Sequence, residues 1–245
     1  TSDCTGDNRF THGFSFLLKF VILSYRMNIM KNVSKNNLDN LSNTSKETVN
    51  SLLDVAEILF AEYGFSGTTV REISAKANIN QALINYHFKS KQGLFKAIFE
   101  RRAKELVEDR LKLLSQARQA AKGGPIPLRD LIYAFVFPPL RIASDSIGGR
   151  AFVKLQARLH NEPKELADDL RSAYYDKVSL EFVDEFHKTL PDLPVETISW
   201  RLIFVMGLYI YVASNTGRLE VISRNRCAGE RLDQALPEIL AFCEN

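Results

Sequence analysis

Four side chains that could carry chemistry lie close together in the segment INQALINYHFKSKQGLF, residues 79–95: Asn85, Tyr86, His87 and Lys91. A histidine can act as a general base, but the base in such a site is itself oriented by a third group, and the segment contains no Asp or Glu. Amide, phenol, imidazole and ammonium groups also bind the bases and phosphates of DNA. The cluster therefore indicates DNA binding rather than catalysis. A structural role for His87, as a cap or packing residue beneath Lys91, stays open.

The charge of the whole chain says little about partners, because 32 Lys and Arg against 29 Asp and Glu give a formal net charge of only +3. The distribution of charge is more informative. From Arg71 to Lys96 there are five basic residues and a single acid, Glu72. This local surplus is compatible with a polyanion-binding surface, although a solvated helix face can carry as much.

The elements that would position these residues form a helix-turn-helix pattern. Thr69, with Glu72 three positions later, predicts a capping box at the start of a short helix. Asn78 predicts the turn that ends it, since Asn tolerates the left-handed conformation. Asn80 is expected to cap the second helix and Ser90 the helix after it. In this motif the first helix crosses the DNA backbone and the second enters the major groove.

The second helix of this pattern has one apolar side and one side free for contacts. Ile84 and Phe88 belong to the apolar side, and Ser74 provides the small residue that a close helix crossing needs. The residues expected to point outward are Gln81, Ala82, Asn85 and Tyr86. Short amides can bond base edges, and Ala can meet a thymine methyl group.

Helical periodicity dominates the remainder of the chain, and neither a strand pattern nor an internal repeat is visible. A long helix is expected from Lys91 to about Ala121. Further helices are predicted at 127–143 with a break at Pro138–Pro139, 149–160, 163–189, 195–216 and 229–243. Helices of this length with short loops predict an antiparallel bundle.

The N-terminal segment contains an apolar stretch followed by a polar one. Its apolar stretch FSFLLKFVILSY, residues 14–25, is too short for a membrane span, which needs about 20 apolar residues. Met27 or Met30 could be the natural start, which would make residues 1–26 or 1–29 an upstream extension. A native amphipathic or partner-binding arm is the alternative. The Asn- and Ser-rich residues 32–44 then form a polar lead-in.

Several classes of site are not indicated by the sequence. Cys4, Cys227 and Cys243 are odd in number and lack any CxxC spacing, so we predict neither a disulfide framework nor a zinc site. His160 and Glu162 lack partners at metal-ligand spacing. No nucleophile–base pair and no phosphate-binding loop is visible. We therefore expect no enzyme activity, no cofactor and no metal.

The stretch LLDVAEILFAEYGFSGTTVREISAKANINQALINYHFKSKQGLFKAI lies within residues 46–98 and carries the spacing F..YGF..TTV..I...A followed by YHF..K..L. It resembles the DNA-binding domain of the TetR family of bacterial transcriptional regulators. The resemblance covers about a fifth of the chain and runs without gaps. The rest of the chain is similar to the family only in being helical and of suitable length.

The resemblance implies roles for individual residues at the DNA. Thr68, Thr69 and the helix that follows them would hold a phosphate, helped by the helix dipole. Arg71 would reach a phosphate or a base. The base-reading positions would be Gln81, Ala82 and Leu83, and the phosphate clamps would be Tyr86, His87 and Lys91. Two departures stand out, because many members carry an aromatic residue in place of Asn85 and a glycine in place of Asn78. Asn85 would therefore either grip a phosphate or read an adenine.

The resemblance also implies roles for the second half of the chain. The family keeps an effector cavity within its helical bundle, and the residues expected to line it here are Phe152, Gln156, Tyr175, Trp200 and Phe204. The apolar faces of FVMGLYIYVAS and LDQALPEILAFC, on the last two long helices, would pair with their symmetry mates in a homodimer. The expected domains are an extension at 1–43, a helix-turn-helix DNA-binding domain at 44–90, and a connecting helix with the effector-binding and dimerisation bundle at 91–245.

The function expected from this reasoning is that of a cytoplasmic, ligand-responsive transcriptional regulator, most simply a repressor. It would bind a pseudo-palindromic operator in double-stranded DNA as a homodimer and release it when a small-molecule effector binds. No membrane partner is expected. The alternatives are a constitutive, non-specific DNA-binding protein, or a helical-bundle enzyme or carrier with a passive basic module. The sequence names neither the effector nor the operator.

Overall fold

The computed structural model describes residues 43–244, so that residues 1–42, which carry most of the predicted extension, lie outside it. Every regular element in this range is a helix, and the predicted all-α fold is confirmed. The helices are α1 (Asn43–Gly67), α2 (Val70–Ala77), α3 (Gln81–Phe88), α4 (Lys91–Ala120), α5 (Leu128–Asp145), α6 (Ile147–Arg158), α7 (Lys164–Tyr174), α8 (Asp176–Thr189), α9 (Val195–Ala213), α10 (Arg218–Ser223) and α11 (Leu232–Glu244). A short 3-10 turn, Leu159–Asn161, joins α6 to α7.

Residues Ser51–Asn245 form one compact unit, and the contacts described below lie within it. Its N-terminal part is held by aromatic rings. Phe60 of α1 meets Phe95 of α4 edge to face, with ring centroids 5.0 Å apart, and Phe65 meets Phe95 in the same way at 5.3 Å. Phe60, Phe95 and Phe99 are fully buried. Such pairs add to the burial of the rings, so this cluster fixes α1 on the first turns of α4. The predicted domain boundary at residue 90 stays a prediction.

Several helix boundaries differ from the prediction by a few residues, α10 was not predicted, and two further differences have a clear structural cause. The predicted helix 163–189 is divided at Tyr175, which lies between α7 and α8 with φ −112° and ψ −33°, a distorted but still right-handed helical conformation. The apolar stripe from Val49 to Tyr63 also predicts a first helix that Gly64 ends, whereas α1 runs on to Gly67 with Gly64 in a non-helical conformation, φ 75° and ψ 175°. A residue without a Cβ takes up this positive φ at no steric cost, so Gly64 places a kink rather than an end.

The prediction of a break at Pro138–Pro139 is wrong, because α5 continues through both prolines to Asp145. In an α-helix the carbonyl of Phe135 would accept a hydrogen bond from the N–H of residue 139, which a proline lacks. Arg110 of α4 replaces that donor, since its Nε donates to the Phe135 carbonyl oxygen over 3.0 Å. The freed carbonyl is thus satisfied by a neighbouring helix, and α5 tolerates the two prolines.

Helix α5 lies at the centre of the bundle, where it packs against α4, α6, α8, α9 and α11. Its buried side chains include Leu131, Phe135 and Leu140, all at most 3% exposed. Helix α9 is different, because it is apolar on both sides but buries only one. Its outward face exposes large apolar side chains at helical spacing: Trp200, Ile203, Phe204 and Tyr211, which we call the α9 stripe. The stripe has no cover within the described chain.

Candidate nucleic-acid interface

The start of α2 is fixed by a reciprocal cap. Thr69 Oγ1 accepts from the backbone N–H of Glu72 at 3.2 Å, and the Glu72 carboxylate accepts from the backbone N–H of Thr69 at 2.8 Å. This confirms the predicted capping box. The hydrogen bonds from the side chain and backbone of Thr69 lower the pKa of the Glu72 carboxyl below its usual value. At neutral pH the cap therefore carries a negative charge at the positive end of the α2 dipole.

The turn between α2 and α3 is built from short polar side chains. Asn78 adopts the left-handed conformation with φ 53° and ψ 42°, as predicted. Asn80 Oδ1 accepts from the backbone N–H of Ala82 at 2.8 Å and so caps α3, also as predicted. Ser74 does more than leave room for the crossing, since its Oγ donates to the carbonyl of Ile79 at 2.6 Å. This bond ties α2 directly to the residue that leads into α3.

Helix α3 turns its apolar side inward and offers the rest to solvent. Ile84 is 1% exposed and anchors the helix, and Phe88 is half-buried. All six remaining predicted contact residues on α3 are exposed: Gln81, Ala82, Leu83, Asn85, Tyr86 and His87. An eight-residue helix with this one-sided burial can enter a groove about 12 Å wide without unfolding. The structure thus brings together the whole predicted α3 contact set.

The exposed face of α3 is aromatic and basic. The rings of Tyr86 and His87 meet edge to face at 5.2 Å, and the Lys89 ammonium lies 5.3 Å from the centre of the Tyr86 ring. Arg71 and Lys76 are exposed on α2. Residues 78–90, from the turn to the end of α3, contain no acidic residue. A surface of this composition attracts phosphates and offers phenol and imidazole N–H and O–H donors to them.

Two of the predicted DNA-contact residues, Thr68 and Lys91, are not exposed like the rest, and their side chains bond to main-chain carbonyls. The side chain of Thr68 is 1% exposed and its Oγ1 donates to the carbonyls of Gly64, at 2.8 Å, and Leu59, at 3.2 Å. Thr68 is therefore removed from the set of side-chain contacts, because its hydroxyl stabilises the kink of α1. Lys91 is half-buried, and its Nζ donates to the carbonyls of Phe65, at 2.9 Å, and Thr68, at 3.1 Å. An ammonium group has three N–H bonds, so one stays available to a phosphate.

A glycine that the sequence analysis did not single out controls the end of α3. A Cβ on Gly93 would lie 2.0 Å from the carbonyl oxygen of Phe88, the last residue of α3. Gly93 thus lets the first turn of α4 approach the end of α3 more closely than any other residue would. Its position was a clue, because a glycine at the third residue of a helix lowers helix stability by about 1 kcal/mol relative to alanine and so calls for a packing reason.

The helix-turn-helix region is tied to the bundle by residues that no motif indicated. Both carboxylate oxygens of Glu162 accept from the backbone N–H of Phe65 at 3.1 Å, and Arg158 Nη1 donates to the carbonyl of Glu62 at 3.3 Å. We call these bonds the main-chain clamp. A second tie joins Lys96 of α4 to Asp169 of α7, with Nζ and Oδ2 2.8 Å apart. The α6–α7 segment is therefore bonded directly to α1 and α4.

The residues predicted to line an effector cavity lie in two separate places. Phe152 is fully buried, and Gln156 Nε2 donates to the hydroxyl of the buried Tyr175 at 2.9 Å. Trp200 and Phe204, by contrast, are 65% and 62% exposed on the α9 stripe, so they do not line an enclosed cavity together with the other three. This corrects the predicted pocket. An open apolar recess lies elsewhere, lined by Leu128, Ile132, Phe186, Leu190, Ile198, Arg201, Leu202, Val205 and Cys243.

No group of three or more His, Cys, Asp or Glu side chains that could hold a metal ion occurs among residues 43–244. Cys227 and Cys243 are both half-buried, and neither forms a disulfide within the described residues.

Comparisons with known proteins match both parts of this architecture. Residues 52–98 match the family model described as bacterial regulatory proteins, tetR family, and residues 133–244 match the tetracyclin repressor-like C-terminal domain. The chain belongs to the TetR family. Its first matched region covers the whole of α2 and α3, so the exposed face of α3 is that of a TetR DNA-binding domain.

Curated relatives of this TetR chain are similar over part of their length. It is 49% identical over 47 residues to the probable HTH-type transcriptional regulator YttP of Bacillus subtilis, covering 19% of the chain and 23% of the relative. It is 38% identical over 89 residues to AcrR of Shigella flexneri, covering 36% and 40%. It is 29% identical over 119 residues to the negative transcriptional regulator IcaR of Staphylococcus aureus, covering 49% and 57%. The chain thus matches less than two thirds of each of these relatives.

Solved structures of TetR proteins share the fold over more of the chain. A TetR-like transcriptional regulator from Rhodococcus sp. RHA1 superposes with a TM-score of 0.56 at 17% identity, covering 80% of this chain and 93% of that one. The complex of SmeT with triclosan superposes with a TM-score of 0.50 at 18% identity, covering 80% and 91%. At these identities the likeness shows the fold alone.

Proposed function

We propose that this TetR protein is a cytoplasmic, effector-responsive repressor that binds a two-fold symmetric operator as a homodimer and has no enzymatic activity. The observation that carries the proposal is the exposed face of α3, where six side chains suited to DNA point outward around the buried anchor Ile84. The names of relatives agree with repression, since IcaR is a negative transcriptional regulator. SmeT was solved with a small molecule bound, which is the behaviour we propose for this bundle.

The α9 stripe supports the proposed dimer. A patch of contiguous large apolar side chains on a soluble protein marks an interaction surface, and a helix of this kind can pair with its own copy about a two-fold axis. Phe242 of α11 is 72% exposed and lies on the other helix that the sequence assigned to the interface. By length and composition α9 could also cross a membrane. We assign its apolar face to the dimer, because the recognition face of α3 needs a partner to read a symmetric site.

In the proposed complex the two α3 helices read half-sites about 34–36 Å apart, one turn of B-DNA. Gln81, Ala82, Leu83 and Asn85 face the bases, while Tyr86, His87, Thr69, Arg71 and the free N–H of Lys91 hold phosphates. Effector binding in the bundle would shift the main-chain clamp and with it the spacing of the two α3 helices. A difference in operator affinity of about 1–3 kcal/mol between the two states is sufficient for regulation.

The experiment that tests this function is selection of bound duplexes from a randomised pool, followed by a salt titration on the selected and on scrambled duplexes. We expect a motif with two-fold symmetry and a large affinity ratio between the two duplexes. Recovery of no motif, with equal affinity for both duplexes, would instead identify a non-specific DNA-binding protein. Absence of DNA binding at low salt would favour an enzyme or carrier built on the bundle.

Two substitutions on α3 should separate base reading from phosphate binding. Gln81→Ala should relax the preference at one position in each half-site, at a cost of about 1–3 kcal/mol for the preferred base. Tyr86→Phe removes a single hydroxyl and keeps the ring, so it should weaken binding to all duplexes alike, by about 1 kcal/mol. Selection and anisotropy titrations with both variants check this. An unchanged selected motif for Gln81→Ala would contradict its role, as would a motif altered by Tyr86→Phe.

A further inference from the structure

The bundle encloses an arginine that has no counter-charge. Arg110 of α4 is 1% exposed and is among the largest fully buried side chains of the protein. Its Nε donates to the carbonyl of Phe135, its Nη2 donates to the hydroxyl of Tyr209 at 3.2 Å, and its guanidinium carbon lies 3.8 Å from the centre of the Phe135 ring. These contacts hold the group in one orientation. None of them supplies a negative charge.

Two half-buried arginines of the described chain are arranged differently. Arg102 forms an ion pair with Glu57, with Nε and Oε1 3.0 Å apart, and Arg141 forms ion pairs with three acids. No carboxylate of residues 43–244 forms an ion pair with Arg110. Removing a charge from water costs several kcal/mol unless an opposite charge compensates for it. The hydrogen bond to the Phe135 carbonyl does not explain why a charged group is buried here, because a neutral N–H donor could form the same bond.

Two tyrosine hydroxyls near Arg110 accept hydrogen bonds from neighbouring side chains. The hydroxyl of Tyr209 accepts from Arg110, and the hydroxyl of Tyr175 accepts from Gln156 Nε2 at 2.9 Å. Among the described residues, the hydroxyl of Tyr209 has no acceptor for its own proton, whereas Tyr175 has the unpartnered Oε1 of Gln156 on the same amide. Burial raises the pKa of Tyr175 far above its usual value, with Tyr209 and Arg110 close enough to act on it electrostatically, so the hydroxyl keeps its proton. The guanidinium and the Tyr209 hydroxyl are thus in contact at 3.2 Å, and the Tyr175 hydroxyl lies within electrostatic range of both.

The surroundings of this cluster are apolar and aromatic. Phe135 meets Phe182 edge to face at 5.0 Å, and it meets Tyr209 at 6.3 Å. Phe135 and Phe182 are fully buried. A ligand that satisfies both the donors and these rings has one compact acceptor group with negative charge and an apolar body. Apolar walls with a few convergent polar groups are typical of small-molecule sites.

We propose that the effector of this regulator is a small apolar molecule with an anionic head group, of the carboxylate class, and that the head group binds Arg110 together with the hydroxyls of Tyr175 and Tyr209. This inference rests on the proposed effector-responsive function and names the ligand chemistry of that site. A carboxylate can accept two parallel hydrogen bonds from a guanidinium, one through each oxygen. Such a pair combines charge compensation with a defined orientation of the ligand.

The position of the cluster explains how such a ligand would be sensed. Arg110 lies on α4, Tyr175 at the junction of α7 and α8, and Tyr209 on the helix that carries the α9 stripe. The cluster is buried in this structure, so the ligand gains access by opening of the α7–α8 junction at Tyr175, the residue between the two helices. Helix α7 carries Asp169, which pairs with Lys96 in the N-terminal part of α4. Ligand binding therefore acts on the connecting helix at two points, Lys96 and Arg110.

The test uses the full-length dimer and matched pairs of ligands. Straight-chain carboxylic acids of graded length and aryl-alkyl carboxylic acids are compared with their primary amides, which keep the shape and lose the charge. We expect at least one acid to raise the melting temperature by several degrees and to release the selected operator, and its amide to do neither. Arg110→Gln keeps an N–H donor for Phe135 without the charge, and it should raise the acid concentration needed for half-maximal stabilisation at least tenfold.

Several results would overturn the assignment: an amide as effective as its acid, an unchanged response of Arg110→Gln, or no stabilisation by any acid in the series. The melting measurement does not involve DNA, so it separates the ligand assignment from the proposed function. An acid that binds at Arg110 and leaves operator affinity unchanged would uphold the anion site and contradict the regulatory role. Tyr175→Phe provides a second variant, since it removes one donor and keeps the ring, and it should weaken the same acids about tenfold.

Discussion

Phe204→Asp is expected to convert the protein from a dimer to a monomer at micromolar concentration. Phe204 is 62% exposed at the middle of the α9 stripe, and in a symmetric interface the substitution would bury two unpaired carboxylates. An uncompensated charge in an apolar contact costs on the order of 3–5 kcal/mol, which corresponds to a loss of about two to four powers of ten in dimer affinity. Sedimentation velocity measures the mass, and anisotropy on the selected duplex should show a parallel loss of operator affinity.

The control for this variant is Leu180→Asp. Leu180 is also a large apolar residue with a similar exposure of 64%, but it lies on α8, away from the α9 stripe. Its replacement should leave both the mass and operator affinity as in the wild type. If Phe204→Asp remained a dimer, or if both variants dissociated alike, the α9 stripe would not be the dimer interface.

Gly93→Ala should weaken DNA binding without touching any DNA contact. The added methyl group would lie 2.0 Å from the carbonyl oxygen of Phe88, so the end of α3 and the start of α4 must move apart. Overpacking of this kind costs about 1–3 kcal/mol, and it displaces the helix that carries the base-reading side chains. We expect a lower melting temperature and a loss of operator affinity of about tenfold or more, while sedimentation shows an intact dimer.

A matched control lies in the same region. Gly67→Ala adds the same methyl group at the end of α1, where its nearest neighbour outside the adjacent backbone is Tyr63 Cβ at 3.4 Å, an ordinary contact. This variant should keep the wild-type affinity and melting temperature, or gain slightly in stability through its restricted unfolded chain. Equal behaviour of the two variants would show that the close approach at Gly93 does not position α3.

The parts of the fold that the sequence predicted well are those that depend on neighbouring residues. The capping box at Thr69, the left-handed Asn78 and the cap of Asn80 are all confirmed. The two caps join groups that are at most three positions apart along the chain. Ser90 likewise accepts from the backbone N–H of Gly93 and starts α4 as predicted. Local hydrogen bonds of this kind can be inferred from spacing alone, because the helix geometry fixes which groups meet.

Interactions between distant residues could not be predicted in this way. The bond from Phe65 to Glu162 spans 97 positions, and no spacing rule connects a bundle carboxylate with a backbone N–H at a kink. The same holds for Arg110, whose bond to Phe135 carries α5 through the prolines that were expected to break it. Trp200 and Phe204 show a further difficulty. Helical periodicity indicates that a face is apolar but does not distinguish a core from an interface between copies.

The main-chain clamp leaves the sequence of the helix-turn-helix region free to change without loss of its bonds to the bundle. Glu162 and Arg158 bond to an N–H and a carbonyl of the backbone, at Phe65 and Glu62, and to no side chain of the helix-turn-helix region. Any residue at position 62, and any residue other than proline at position 65, would present the same two groups. The connection between the bundle and α1 therefore depends on the backbone conformation at positions 62 and 65 and not on which side chains stand there. A hybrid that carries a different reading helix on the same α1 kink would keep this mechanical connection to the bundle.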